Sequence, residues 1–223
     1  MPLITAFIWI FLNETGTVKL TDTGVPYPVY AFTGTLLWSI LKEAINSPIT
    51  ITTTNKSVIS KINFPKEALI LTGIFKLLFN SSVKVIILLV FLFFFGVGFK
   101  WSLLLFPLVI IGAIIFGTML GLFLTPIGML YRDVSKFIKM GLTIIMYITP
   151  VVYAVPKSGI MKTLMEFNPF TPIILTTRAI VVGENPEYLT YFLCLMIISV
   201  PLLFLGLLFY RISMPIIVER MSA

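Results

Sequence analysis

Apolar residues fall into six runs separated by short polar stretches. The first, Pro2 to Leu12, holds about 11 residues and would extend about 16 Å at 1.5 Å per residue, roughly half the hydrocarbon thickness of a bilayer. It reads as the end of a helix rather than a crossing. The others run from about Pro28 to Ala44, Ala68 to Phe95, Ser102 to Leu124, Phe137 to Val155 and Leu189 to Tyr210. They approach the roughly 20 residues that a transmembrane helix needs. The third is long enough for its first turns to stand outside the lipid. These runs are continuous, whereas barrel strands alternate, so the pattern predicts helices. The expectation is an all-α integral membrane protein with about six membrane helices, the first incomplete, in one transmembrane domain over residues 1–223.

The polar interruptions carry patterns of their own. Pro48 is expected to limit the second helix, and in the stretch Thr50 to Glu67 that follows, Val58, Ile59 and Ile62 stand at helical spacing among Lys56, Ser57, Ser60 and Lys61. One short amphipathic helix results, suited either to a partner's surface or to anionic headgroups. Later, Thr149-Pro150-Val151-Val152-Tyr153, Asn168-Pro169-Phe170-Thr171-Pro172 and Arg178 break the regularity. Irregular backbone at membrane depth is tolerated only where protein or a water-filled cavity satisfies its polar groups. An ordinary external loop with one amphipathic helix is the alternative. In the third run Lys76, Asn80 and Lys84 recur at i, i+4 and i+8 on one face. Ionisable groups inside a membrane usually face a cavity or partner, although Lys76 can also snorkel to the surface. Gly117-Thr118-Met119-Leu120-Gly121 offers a close approach to another helix.

Composition agrees with this reading: 58% of the 223 residues are hydrophobic, 11% are charged, and the mean hydropathy is +1.07. With no histidine and one cysteine, Cys194, the usual zinc, haem and iron–sulfur ligand sets, an internal disulfide and a Cys-His nucleophile are all out of reach. No metal site is expected. The net charge of +7 does not indicate nucleic acid, because the basic residues are spread over loops between apolar runs. Placing Lys56, Lys61, Lys66, Arg132, Lys136, Lys139, Arg211 and Arg220 inside leaves Lys19, Lys100, Lys157, Lys162 and Arg178 opposite, diluted by Glu166, Glu184 and Glu187. The C-terminus is therefore expected in the cytoplasm. No secretory cleavage pattern is visible at the start. There is also no G-x-x-x-x-G-K-[ST] loop, so any ATP hydrolysis must come from another chain.

The segment Asn55 to Glu67, Tyr131-Arg132-Asp133 and Asn168-Pro169-Phe170-Thr171-Pro172, in this order and spacing, resemble the membrane subunit of ABC-2 type exporters, the branch that moves O-antigen, teichoic acid and related polysaccharides. The resemblance runs from about Pro2 to the C-terminus. It implies a permease without catalysis of its own, in a bacterial or archaeal inner membrane. Two copies would line a pathway for a lipid-linked glycan, above two ATPase subunits that hold ATP and magnesium. Lys56, Ser57, Ile59, Lys61, Ile62, Phe64 and Pro65 would form the coupling element seated in the ATPase. Arg132 and Asp133 would add a second contact or brace, or else serve as solvated anchors. Residues 158–182 would form short re-entrant helices that close the outer side, with Pro150, Tyr153, Asn168, Pro169, Pro172 and Arg178. Lys76, Asn80 and Lys84 would face substrate or a lipid phosphate. The aromatic residues Phe7, Phe11, Tyr30 and Trp38 would stack on sugar rings, or else belong to an interface belt.

Family members usually carry several tens of residues before this point, including an interfacial helix and the first half of helix one, so upstream completion of the short first run is expected. Alternatives are an ABC-2 exporter of drugs or small lipids, a membrane-embedded glycosyl or prenyl transferase, and a non-transporting scaffold. The transferase would need acidic metal-binding clusters, and Glu43 and Asp133 are isolated carboxylates.

Overall fold

The computed structural model describes residues 2–16, 25–62, 64–98 and 100–222, without the side chains of Pro2, Ser60, Arg132, Arg220, Met221 and Ser222. Lys19 thus lies outside the described residues. The elements are α1 (Pro2–Glu14), α2 (Tyr27–Thr54), α3 (Lys56–Lys61), α4 (Glu67–Phe94), a 3-10 turn (Trp101–Leu105) that leads into α5 (Phe106–Leu130), α6 (Arg132–Tyr147), α7 (Ile160–Phe167), α8 (Phe170–Val182) and α9 (Leu189–Ser222). No strand occurs among the described residues.

The chain is an all-α membrane protein. Among the described residues, three stretches are long and apolar enough to cross a bilayer: Glu67–Phe94, Trp101–Leu130 and Leu189–Glu219. The other expected crossings differ. With 13 residues α1 is short, as its run predicted. The 28 residues of α2 suffice in length, but its second half carries Lys42, Glu43, Asn46, Ser47 and Thr50.

Two proline expectations come out in opposite ways. Pro48 does not end α2, which continues for more than a turn to Thr54. Here Thr52 Oγ1 donates to the Pro48 carbonyl at 2.7 Å and Asn55 Nδ2 to the Ile51 carbonyl at 2.8 Å, keeping polar groups bonded within the helix itself. Pro150, by contrast, stops a helix early: α6 ends at Tyr147, where the run to Val155 predicted eight more residues. A proline interior to a helix lacks the N–H and crowds the carbonyl four residues back, and the residue before it is pushed out of the α region.

By packing, the chain divides into two compact units. The first comprises Met1–Ile40, Ser81–Ile111 and Thr143–Cys194, the second Leu41–Asn80, Gly112–Leu142 and Leu195–Ala223. In the first unit Phe32 meets Phe91 at 4.5 Å between ring centroids and Trp38 meets Phe170 edge-on at 5.5 Å. Ser102 Oγ donates to the Ile180 carbonyl at 2.7 Å, joining the 3-10 turn to α8. Gly183, at φ 81°, ends α8 in the left-handed conformation and returns its N–H to the Ala179 carbonyl at 2.8 Å.

In the second unit Ile59, Ile70, Leu122, Met129, Tyr210, Met214 and Ile217 form one buried cluster. Its tightest crossing is between α2 and α5, where Gly117 and Gly121 face Leu41, Ala44, Ile45 and Pro48. A Cβ on Gly117 would lie 2.5 Å from the Ala44 Cβ, and one on Gly121 would collide with the Ile45 carbonyl oxygen. The small-residue pair therefore marks a real helix contact.

Gly121→Ala should consequently lower stability by about 1–3 kcal/mol, since a backbone carbonyl cannot turn aside as a side chain would. Gly141→Ala, where a Cβ meets nothing within 4 Å, should leave stability unchanged or raise it by about 0.5–1 kcal/mol. Denaturant titration of the purified chain in detergent measures both.

Candidate functional site

Three clusters contain most of the residues singled out in the sequence. The first lies where α6 stops. From Ile148 to Tyr153 the chain is non-helical, and Thr149, Pro150, Val151 and Val152 are buried. Each carbonyl in this stretch receives a donor. Asn168 Nδ2 reaches the Ile148 carbonyl at 3.2 Å, and the Val151 N–H reaches that of Thr149 at 2.7 Å. Arg178 Nη1 donates to Pro150 at 3.1 Å and Arg178 Nη2 to Val151 at 2.6 Å. The hydroxyls of Tyr27 and Tyr30 donate to the Val152 and Tyr153 carbonyls at 3.0 and 3.1 Å.

Arg178 is the centre of this cluster. Its side chain is 5% exposed, and its guanidinium carbon lies 3.5 Å from the centroid of the Tyr30 ring. A buried cation is thereby held by two carbonyl dipoles and an aromatic face. Gly34 makes the room, for a Cβ there would collide with the Val151 carbonyl oxygen and with Arg178 Nη2. The second anchor is Asn168. Its amide also donates to Thr149 Oγ1 at 2.9 Å, and its Oδ1 accepts the N–H of Phe170, the first residue of α8, at 3.0 Å. Pro169 precedes that helix and Pro172 sits in its first turn, where a missing N–H removes no helical bond. Pro150 and Tyr153 in the segment after α6, Asn168 and Pro169 before α8, and Pro172 and Arg178 on α8 are thus joined through these hydrogen bonds.

The second cluster holds α3. Ile59 is 3% exposed and belongs to the buried core of its unit, while Val58 and Ile62 are 41% and 58% exposed. This corrects one expectation: Ile59 is packed inward and offers no outer contact. Ser57 and Lys61 lie on the exposed side with Val58 and Ile62, Lys56 is half-buried, and Phe64 packs partly against the core ahead of exposed Pro65. The end of this segment is tied to α9. Arg211 Nε meets Glu67 Oε1 at 3.3 Å, and the buried Tyr210 hydroxyl stands 3.3 Å from Thr52 Oγ1 and 3.5 Å from the Lys66 carbonyl. Nearby in sequence, Asp133 pairs with Lys136 at 3.4 Å, both nearly fully exposed, an arrangement that contributes little to stability. The Arg132 side chain lies outside the described residues.

The third cluster is a polar cavity of about 320 Å³ between α2 and α4, to which Glu43, Asn46, Thr50, Asn55, Lys76 and Asn80 contribute. Lys76 and Asn80 thus share a cavity as the helical spacing suggested, whereas Lys84 is half-buried and lines none of it. The aromatic residues divide between buried and exposed positions. Tyr30 and Trp38 are 6% and 4% exposed, Trp38 packed edge-on against Phe170, and Tyr30 packed under Arg178 with its edge on a cavity of about 370 Å³ that Arg178 also lines. Phe7 and Phe11 do stand exposed on α1, at 69% and 58%.

Sequence reasoning missed Tyr27, Gly34, Tyr210 and the Glu67–Arg211 pair. A glycine within an otherwise continuous apolar helix was a signal for close backbone approach at Gly34. Nothing in the local pattern joined Arg211 to Glu67 across 144 positions; the Tyr210–Lys66 contact beside them has that same separation.

No family model matches the chain. It is 24% identical over 224 aligned residues, 95% of this chain and 83% of the relative, to a protein of Klebsiella pneumoniae named O-antigen export system permease protein RfbA. A second protein of that name from Klebsiella pneumoniae is 24% identical over 199 residues, 85% of this chain and 73% of the relative. One from Myxococcus xanthus is 23% identical over 186 residues, 78% of this chain and 72% of the relative. The similarity agrees with the resemblance carried by the sequence motifs and relates the chain to transport permeases of the membrane.

The Arg178 network yields a graded expectation. Arg178→Lys keeps the charge but replaces a planar fork by a single point donor, so one of the two carbonyls loses its partner. A cost of about 1–3 kcal/mol should follow. Arg178→Met should cost more, with the Ile148–Tyr153 segment becoming sensitive to protease in detergent. Thermal unfolding and cleavage mapping together read this out.

Proposed function

We propose that the chain is the permease subunit of an ATP-driven exporter of a lipid-linked polysaccharide. The observation that carries this reading is the similarity to O-antigen export permeases along 95% of the chain. In this reading two copies form the pathway, and a separate ATPase chain hydrolyses ATP and docks on α3. The C-terminus, α3 and the start of α6 lie in the cytoplasm, and α7 with α8 lies towards the outer side.

The architecture of α3 supports the coupling role. A docking element must offer an apolar contact and must also transmit displacement to the membrane helices. Val58 and Ile62 supply the first; Ile59 in the core and the Tyr210 and Glu67–Arg211 ties supply the second. Arg178 and Asn168 hold the bend after α6 against α8, which suits a closure that must stay shut between export events. The cavity with Lys76 and Asn80 offers polar groups to a headgroup or sugar.

The outer and inner faces of α3 should separate experimentally. Val58→Asp with Ile62→Asp should abolish co-purification of the partner ATPase and leave the permease folded in the membrane. Ile59→Asp should instead deplete the permease itself, because it buries a charge in the core. Retention of the ATPase by the double variant would remove the docking assignment.

Orientation can be tested independently. In a Cys194→Ser background, Lys56→Cys and Lys136→Cys should resist impermeant thiol reagents in intact cells, and Lys162→Cys should label. The reverse pattern would invert the topology.

A further inference from the structure

Two adjoining cavities in the second unit begin at the end of the α3 cluster, at Phe64 to Glu67 and Arg211, and extend beyond it. One, about 390 Å³, is an almost wholly apolar groove walled by α4, α5 and α9, with Ile70, Ile74, Leu122, Leu203, Leu207 and Leu208 among its lining. The other, about 420 Å³, is a basin formed by Phe64, Pro65, Lys66, Glu67, Arg211 and Pro215. Glu67 and Arg211 line both, so the groove opens onto the basin at that ion pair. An apolar trough that leads to a charged basin at one end of two membrane-crossing helices has the polarity of an amphiphile.

We infer that this composite site binds an anionic glycerophospholipid, with one acyl chain in the groove and the phosphate in the basin. Charge selects the headgroup: Lys66 and Arg211 face a single carboxylate, Glu67, leaving the basin net cationic. Glu67 meets the guanidinium through Nε at 3.3 Å. That edge is one of five N–H donors, and the remaining fork suits a phosphate. Basic side chains at the ends of membrane helices commonly recognise anionic lipid in this way, at about 1 kcal/mol per charge, a factor of about five. Shape selects the tail. Volumes near these are ordinary for small-ligand sites, which range over roughly 300–1,000 Å³, and the groove borders residues already open to the membrane, Leu71 at 58% and Phe204 at 61% exposed. The site sits where the coupling segment joins α4 and α9, so a bound lipid would reinforce the same junction as Tyr210 and Glu67.

The purified full chain, reconstituted in vesicles of phosphatidylglycerol and phosphatidylcholine in equal parts and extracted in mild detergent, should retain phosphatidylglycerol over phosphatidylcholine by about fivefold in native mass spectra. Arg211→Gln should bring that ratio close to one while lipid is still bound. Leu208→Trp, at a position 54% exposed and therefore tolerant of bulk, should fill the groove and reduce both lipids. Equal retention by the unaltered chain would overturn the inference, as would ratios and amounts unchanged in both variants. Displacement of the lipid by soluble glycerol phosphate would overturn it in favour of a simple anion site. Disulfide cross-linking between copies through Leu208→Cys in a Cys194→Ser background would show that a second chain covers the groove, and would overturn it too.

Discussion

A buried backbone must have its polar groups satisfied, and this structure depends on how that is done where α6 gives out and residues 149–152 run buried without helical bonds. Leaving a buried carbonyl without a donor costs about 1–3 kcal/mol. Between Ile148 and Tyr153 six carbonyls are taken up, two by the guanidinium of Arg178, two by the Tyr27 and Tyr30 hydroxyls, one by the Asn168 amide and one within the turn. Apart from the Val151 N–H within the turn, the donors come from α2, α8 and Asn168, two residues before α8. Removing them would leave Pro150 a defect; with them, the break is a fixed bend to which three elements are bonded.

The second unit meets a different constraint, that of holding a short helix in place. Six residues of α-helix have little stability alone, and α3 has no side-chain cap at Asn55. Its rigidity comes from Ile59, inserted among Ile70, Met129, Tyr210 and Met214. One face is therefore committed to the interior and the other remains available. The Gly117 and Gly121 contacts bring α5 against the stretch of α2 that leads to α3, so packing continues from the tight crossing to the short helix.

Much of this was legible in advance, for identifiable reasons. Hydropathy marked the three candidate crossings by length and composition alone, whether the most apolar window is little buried by protein, 22% in α4 and 17% in α9, or more so, 56% in Trp101–Leu130. The Asn168-Pro169-Phe170-Thr171-Pro172 motif and Arg178 stood out because polar and helix-breaking residues are costly in such surroundings. Proline was ambiguous. Pro48 and Pro150 look alike in sequence, and what distinguishes them is a neighbouring helix with glycines at one and a set of side-chain donors at the other. The amphipathic reading of α3 found the helix but could not say which of its three apolar residues faced inward, because Val58, Ile59 and Ile62 cover adjoining directions and only tertiary contacts choose among them. The burial of Tyr30 and Trp38 was not legible because an aromatic ring has the same composition whether it borders a passage or fills a core.

The Arg178 arrangement also bears on which positions are free to drift. Its hydrogen-bond acceptors are main-chain oxygens, which every amino acid supplies. Positions 151 and 152 are therefore constrained by volume alone, and residues near valine in size should interchange there over evolutionary time without loss of the bend. The information resides on the donor side: Arg178, Asn168, the two tyrosine hydroxyls and the missing side chain at position 34 cannot be exchanged one at a time. A search for distant members of this group would do better to look for that dispersed set than for the bend's own variable sequence.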